Sequence, residues 1–321
     1  MNDYSHGISR GSDPFLKKLR RRRLITGALV FIGIGIVAVC AILAFSAVAV
    51  KRAFPKATQD SIVSLWSAKD YVSVSRACDE ALELAPLDPF YLIFKGFSAF
   101  YLGLSESGGE KRAARMDEAV FSIRKALIDP KTPLKAEATY ILGKAYFHKG
   151  PDYYNEAISY LVESNALGYS KADTWEYLAI AAQGADRIDQ SVDFFDKAIS
   201  LKPDSPELML AAATANAQAG HRDRAESLAN EAMAATSDEY LAERCGFLLG
   251  DLYMKSGRLD EALARYQSIQ DKNPESADAW YYQGLVLIAA GDPIRARAAW
   301  RKAISIDPMH AGARQKLSER S

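Results

Sequence analysis

Four histidines, three cysteines and adjacent carboxylate pairs such as Asp117-Glu118 and Asp260-Glu261 are the residues of this 321-residue chain whose types could do chemistry, and their spacing argues against it. His6, His148, His221 and His310 are far apart, with no HExxH and no His/Cys cluster, so no metal ligand set forms in sequence. Cys40, Cys78 and Cys245 include no CxxC, and their odd number excludes a simple disulfide framework. Asp117-Glu118 and Asp260-Glu261 sit where helices are expected to begin, and carboxylates there complement the positive end of the helix dipole. Walker A, GxSxG and strand-borne GxGxxG motifs are all missing. The residue set points to no enzyme, no cofactor and no small-molecule substrate.

The elements that must position these residues follow from charge and periodicity. Residues 1–52 hold nine Lys/Arg against two Asp/Glu, leaving 31 basic and 38 acidic residues beyond, a net charge near −7. A nucleic-acid partner needs a clustered basic face, and the only basic run is Lys17-Lys18-Leu19-Arg20-Arg21-Arg22-Arg23. Directly after it, Leu24 to Val50 is uncharged and mostly apolar. As a helix this stretch would be about 40 Å long, enough for a hydrocarbon core of roughly 30 Å. The positive-inside bias then places residues 1–23 in the cytoplasm as a basic tail, 24–50 across the membrane, and the rest outside, after a linker at 51–57. A bacterial-type inner membrane is the expected location. A cleaved signal peptide is the main competitor, since Ala47-Val48-Ala49 resembles a cleavage site, but the apolar stretch is about twice the usual 7–15 residues.

From residue 58 onward the chain repeats. Gly250 and Gly284, Ala262 and Ala296, and Pro274 and Pro308 each recur after 34 residues, a helix-turn-helix period. The last unit, 277–310, contains Trp280, Gly284, Leu287, Ala296, Trp300, Ala303 and Pro308; the unit before it contains Leu249, Gly250, Tyr253, Ala262, Tyr266 and Pro274. In these residues the chain resembles the tetratricopeptide-repeat family, whose small and large consensus positions they reproduce. Extended backward, the register gives units at 206–239, 172–205, 136–170, 89–131 and 55–88. About eleven residues are inserted near Ser105–Gly109, and two near Gly150-Pro151. The expected fold is an all-α solenoid of about seven hairpins over 58–310, with a short polar tail at 311–321. Gly220, Gly257 and Gly291 permit the turns inside hairpins, and Ala262→Leu is expected to overpack its helix pair by about 1–3 kcal/mol.

The family resemblance implies a concave groove lined by the first helix of each hairpin, where polypeptide partners bind. Transferring the groove-facing offsets gives Phe90, Ile93, Phe97, Phe100 and Tyr101, then Tyr140, Lys144, Phe147 and His148. Later repeats place Asp173, Glu176, Ile180, Gln183, Arg244, Phe247, Asp251 and Met254 there. The aromatic members Phe90, Phe97, Phe100, Tyr101, Tyr140 and Phe147, with the aliphatic Ile93, are the expected partner-binding set, with Phe97 and Phe100 as anchors, unless the first repeat, the linker or the 104–114 insertion covers them. The Lys/Asn pattern of carboxylate-clamp co-chaperones does not occur. The sequence thus predicts a membrane-anchored, extracytoplasmic scaffold for a protein partner. A structural subunit of an envelope assembly, such as a periplasmic flagellar collar, and an assembly factor for envelope proteins are the alternatives, and the repeats are also compatible with a homo-oligomer.

Overall fold

The computed structural model describes residues 58–319. The expected basic tail, transmembrane helix and linker at 1–57 lie outside the described residues. Among those that are described, no helix is long and apolar enough to cross a membrane, and no strand is present. The chain divides into two units, Met1–Ser61 and Ile62–Ser321. In the described end of the first, Thr58 and Ser61 satisfy each other's amides through their hydroxyls, at 3.0 and 3.2 Å, a reciprocal cap that starts the first helix.

Fifteen α-helices follow in the described residues, and fourteen pair into seven hairpins. These are α1 (Gln59–Ser67) with α2 (Tyr71–Leu84), α3 (Pro89–Ser105) with α4 (Gly109–Ala126), α5 (Lys135–Lys149) with α6 (Tyr154–Ala166), and α7 (Thr174–Gly184) with α8 (Ile188–Leu201). Then come α9 (Pro206–Gln218) with α10 (Arg222–Ala235), α11 (Glu239–Lys255) with α12 (Leu259–Lys272), and α13 (Ala277–Ala289) with α14 (Pro293–Ile306). From α2 onward consecutive helices pack on one another, and successive first helices also meet, α3 with α5, α5 with α7 and α9 with α11. Starts are written locally: Asp88, Ser205 and Asp292 each cap a backbone amide ahead of a proline in the first turn. Within hairpins the turns need a left-handed residue, supplied by Gly220, Gly257 and Gly291 at φ near +80° and, at a cost, by Lys69 and Asp186 at +59°.

The 34-residue recurrence has a packing cause. At Gly250 a Cβ would lie 2.5 Å from the Tyr266 ring, and at Gly284 it would run into the Trp300 indole, so an aromatic ring of the second helix lies directly on the backbone of the first. Ala262 and Ala296 are fully buried in the reciprocal positions.

Three expectations are corrected. Most of the insertion near Ser105–Gly109 becomes helix: α3 and α4 run 17 and 18 residues, against 13 and 14 in the last hairpin. Consequently Asp117 and Glu118 lie mid-helix instead of capping, where Asp117 pairs with Lys149 and Glu118 with Lys95 at 2.7 Å; Asp260 and Glu261 do occupy a first turn. The segment after Pro308 is not merely a tail, because Ala311–Ser318 forms α15, capped by His310, with Ala313 buried and Leu317 packed on the last hairpin.

Candidate protein-binding surface

The first helices of hairpins two to four hold the aromatic positions, and their exposure is not uniform. Ile93 and Phe100 are fully buried, and Phe97 and Tyr140 are 5% exposed. Trp66, at the end of α1, lies 5.6 Å from Phe97 and 5.5 Å from Tyr101 between ring centroids, and Tyr71 stacks on Tyr101 at 4.9 Å and 15°. The first hairpin therefore covers Phe97, Phe100 is buried beside His148 and Lys144, and both are core, not anchors. Ile93 packs against the second helix of its own hairpin within the same core. Tyr140 is held inward by a hydrogen bond from its hydroxyl to Asp173 Oδ1, at 2.5 Å. Phe90, Tyr101 and Phe147 remain half-buried and present ring surface.

At the centre of this surface sits Lys144, the residue that follows the close-approach glycine Gly143. Its ammonium lies 2.9 Å from Asp173 Oδ2 and 3.3 Å from the Tyr140 hydroxyl. Ring centroids of Tyr177, Tyr140 and Phe100 surround it at 4.6, 5.1 and 5.7 Å. A desolvated cation in such a cage gains about 2 kcal/mol from the ring quadrupoles, so the cluster ties α5 to α7. Burial alone would raise the Asp173 carboxyl, but the hydrogen bonds from Tyr140 and Lys144 outweigh it and hold the group low. Burial and Asp173 push the Tyr140 hydroxyl up strongly, and burial first, then Asp173, takes Tyr177 to about 12. His148, 3.3 Å from the Tyr177 hydroxyl, is held below the ordinary imidazole value by burial and by the charges of Lys144 and Arg112.

Chemically this arrangement is a locked polar core with an aromatic rim, and no side chain in it is set up as a nucleophile beside a base. The rim runs from Tyr101 past His148 to Tyr177 and Phe147, the last two rings meeting edge-on at 4.8 Å. Tyr177, Tyr169, Trp66 and Tyr71 are members that offset transfer missed. Tyr177 follows the chosen Glu176 by one residue; Trp66 and Tyr71 lie in the repeat with the weakest consensus, where aromatic content was the only signal. Further along, Ile180 is exposed and Gln183 bonds Gln218 across neighbouring hairpins at 2.8 Å. Arg244 lies over the Tyr240 ring at 5.9 Å. Cys78 and Cys245 are buried free thiols, Cys78 pushed up to about 12 by burial. Among the described residues no group of His, Cys, Asp and Glu is arranged to hold a metal.

With this geometry in hand, known proteins give a consistent class. Residues 247–311 match the profile of the tetratricopeptide repeat family. The C-terminal part of a TPR repeat-containing protein from Cytophaga hutchinsonii superposes with a TM-score of 0.59 at 14% identity, over 82% of this chain and 100% of that one. The protein therefore has a tetratricopeptide-repeat fold. More distant likenesses include MamA from Desulfovibrio magneticus RS-1, with a TM-score of 0.49 and 19% identity over 56% of this chain and 98% of that one. A chain of the Cut9–Hcn1 APC/C hetero-tetramer gives 0.44 and 15% over 80% of this chain, and this chain spans only 47% of it. No curated protein matches the sequence.

Proposed function

We propose that the protein is a non-catalytic scaffold that binds a polypeptide partner on the first-helix side of its repeats, held at the extracytoplasmic face of a bacterial-type inner membrane by Leu24–Val50. The observation that carries the binding role is the half-exposed rim of Tyr101, Phe147 and Tyr177 around the locked Lys144–Asp173 pair. Rings prefixed by packing offer contact area at little entropic cost, and aromatic anchors dominate interface energies. Phe90 extends the same surface towards the first hairpin. Support for the anchor is the uncharged 27-residue run behind a basic tail; tethering would raise the local concentration of membrane-bound partners without new contacts.

The test is a photoreactive residue at Tyr101 in intact cells. A small set of discrete adducts, lost on Phe147→Ser with Tyr177→Ser while helicity is retained, is the expected result; no adducts, or adducts indifferent to those changes, would overturn the binding surface. A reporter fused after Lys56 is expected to be active outside the cytoplasm, and cytoplasmic activity would reverse the topology.

A further inference from the structure

Between α11 and α13, the first helices of hairpins six and seven, lies a cleft of about 350 Å³ lined by Phe247, Leu248, Asp251, Asp278 and Tyr282. Its aromatic wall is rigid. Phe247 and Tyr282 meet at 5.7 Å and 60°, and Tyr282 stacks on the fully buried Tyr266 at 5.7 Å and 13°. Each carboxylate in the cleft has a polar partner. Asp278 accepts a hydrogen bond from His310 Nε2 at 3.0 Å, while His310 Nδ1 accepts the Ala313 amide at 3.1 Å as the cap of α15. The Asp278 side chain stays 69% exposed beside this contact. Asp251 pairs only with Lys255, one turn along the same helix at 2.8 Å, and that lysine is 63% exposed, so the pair is weak and readily exchanged. Burial first, then Asp278, Tyr281 and Asp251, raises the Tyr282 hydroxyl.

We propose that this cleft is a receptor for one arginine side chain of a bound polypeptide, the guanidinium stacked on Tyr282 and Phe247 and its charge shared between Asp251 and Asp278. The inference rests on the reading of the first-helix side as a polypeptide-binding surface. A planar, weakly hydrated cation suits an aromatic wall flanked by carboxylates, and the repeat region as a whole is acidic, near −7 beyond residue 52. Lys255 is displaced to solvent, and Arg244, one turn before Phe247, is turned onto Tyr240 and does not oppose the ligand.

Fluorescence anisotropy on the full-length protein in detergent, with a labelled Gly-Ser peptide bearing spaced arginines and its neutral citrulline counterpart, tests this. The arginine peptide is expected to bind roughly tenfold or more tightly than the citrulline peptide, and Asp251→Asn with Asp278→Asn to erase that difference while leaving citrulline binding and the circular-dichroism melt unchanged. No binding of the arginine peptide, equal binding of the two peptides, or a preference that survives in the double variant would overturn the proposal. Adducts at Tyr101 that persist alongside such a result would remove the arginine pocket alone; their absence as well would remove the whole binding surface.

Discussion

The residue that follows the close-approach glycine of the first helix is Phe97 in hairpin two, Lys144 in hairpin three and Asp251 in hairpin six, and the three meet different fates. Phe97 is sealed under Trp66, Lys144 is caged by rings, and Asp251 borders an open cleft. One register position thus serves as core, as a clasp between hairpins and as free surface. What decides is the neighbouring hairpin: α1 ends in a tryptophan that reaches over its successor, Asp173 and Tyr177 of the following hairpin hold Lys144, and between α11 and α13 the aromatics stack on one another and leave a cleft beside Asp251. Exposure in a repeat array is a property of adjacent pairs, not of a position.

The strongest way to break this contrast is to empty the covered end. Phe100→Ala is expected to cost about 3–5 kcal/mol, because a fully buried ring leaves a cavity between α3 and α5; denaturant unfolding would show it, and a change below about 1 kcal/mol would mean the ring is surface after all. At the other end the sensitive atoms are backbone. Gly284→Ala is expected to lose about 1–3 kcal/mol as the new methyl displaces the Trp300 indole, whose Nε1 donates to the Tyr281 carbonyl at 3.0 Å, and tryptophan emission reports the shift directly.

A smaller effect separates the clasp from its neighbours by pH. His148 titrates below its unfolded value of about 6.5, so the unfolded chain takes up the proton first on acidification. Its contribution is complete above that value and is lost as pH falls towards the lowered folded value. His148→Gln should flatten the dependence of melting temperature between neutral pH and pH of about 5; an unchanged slope would remove the histidine from the clasp. The smallest change concerns the turns. Asp186→Gly is expected to stabilise by a few tenths up to about 1 kcal/mol, since the left-handed conformation at φ +59° suits glycine better, and a drop in melting temperature would show that the aspartate makes a compensating contact.

Much of the array can be read from the sequence because its cause is local and recurrent: a glycine must face a tyrosine or tryptophan one helix away, and Gly250, Tyr266, Gly284 and Trp300 write that rule twice. Hairpin limits follow from Pro203, Pro274 and Pro308. Gly108-Gly109 reads as a loop, yet α4 begins there, since an N-cap tolerates glycine and the following Glu-Lys-Arg-Ala-Ala-Arg run favours helix. The short helix at Ala311–Ser318 gave little signal, its inward residues being Gly312 against Tyr281, Ala313 and Leu317. The candidate surface was half legible. Tyr101 and Phe147 are half-buried at positions taken from the family resemblance, but Phe97 is covered by Trp66, thirty-odd residues earlier in a unit with almost no consensus, and no periodicity encodes that contact.

The last helix has a further bearing on assembly. α15 turns Ala313 and Leu317 towards Tyr281 and the neighbouring hairpin and leaves Arg314, Gln315 and Ser318 facing outward. Covering this face would strip water from the Arg314 guanidinium, whose contact is the weak acceptor Met309 Sδ at 3.8 Å. A surface that covers α15 therefore has to bring an acceptor for that guanidinium.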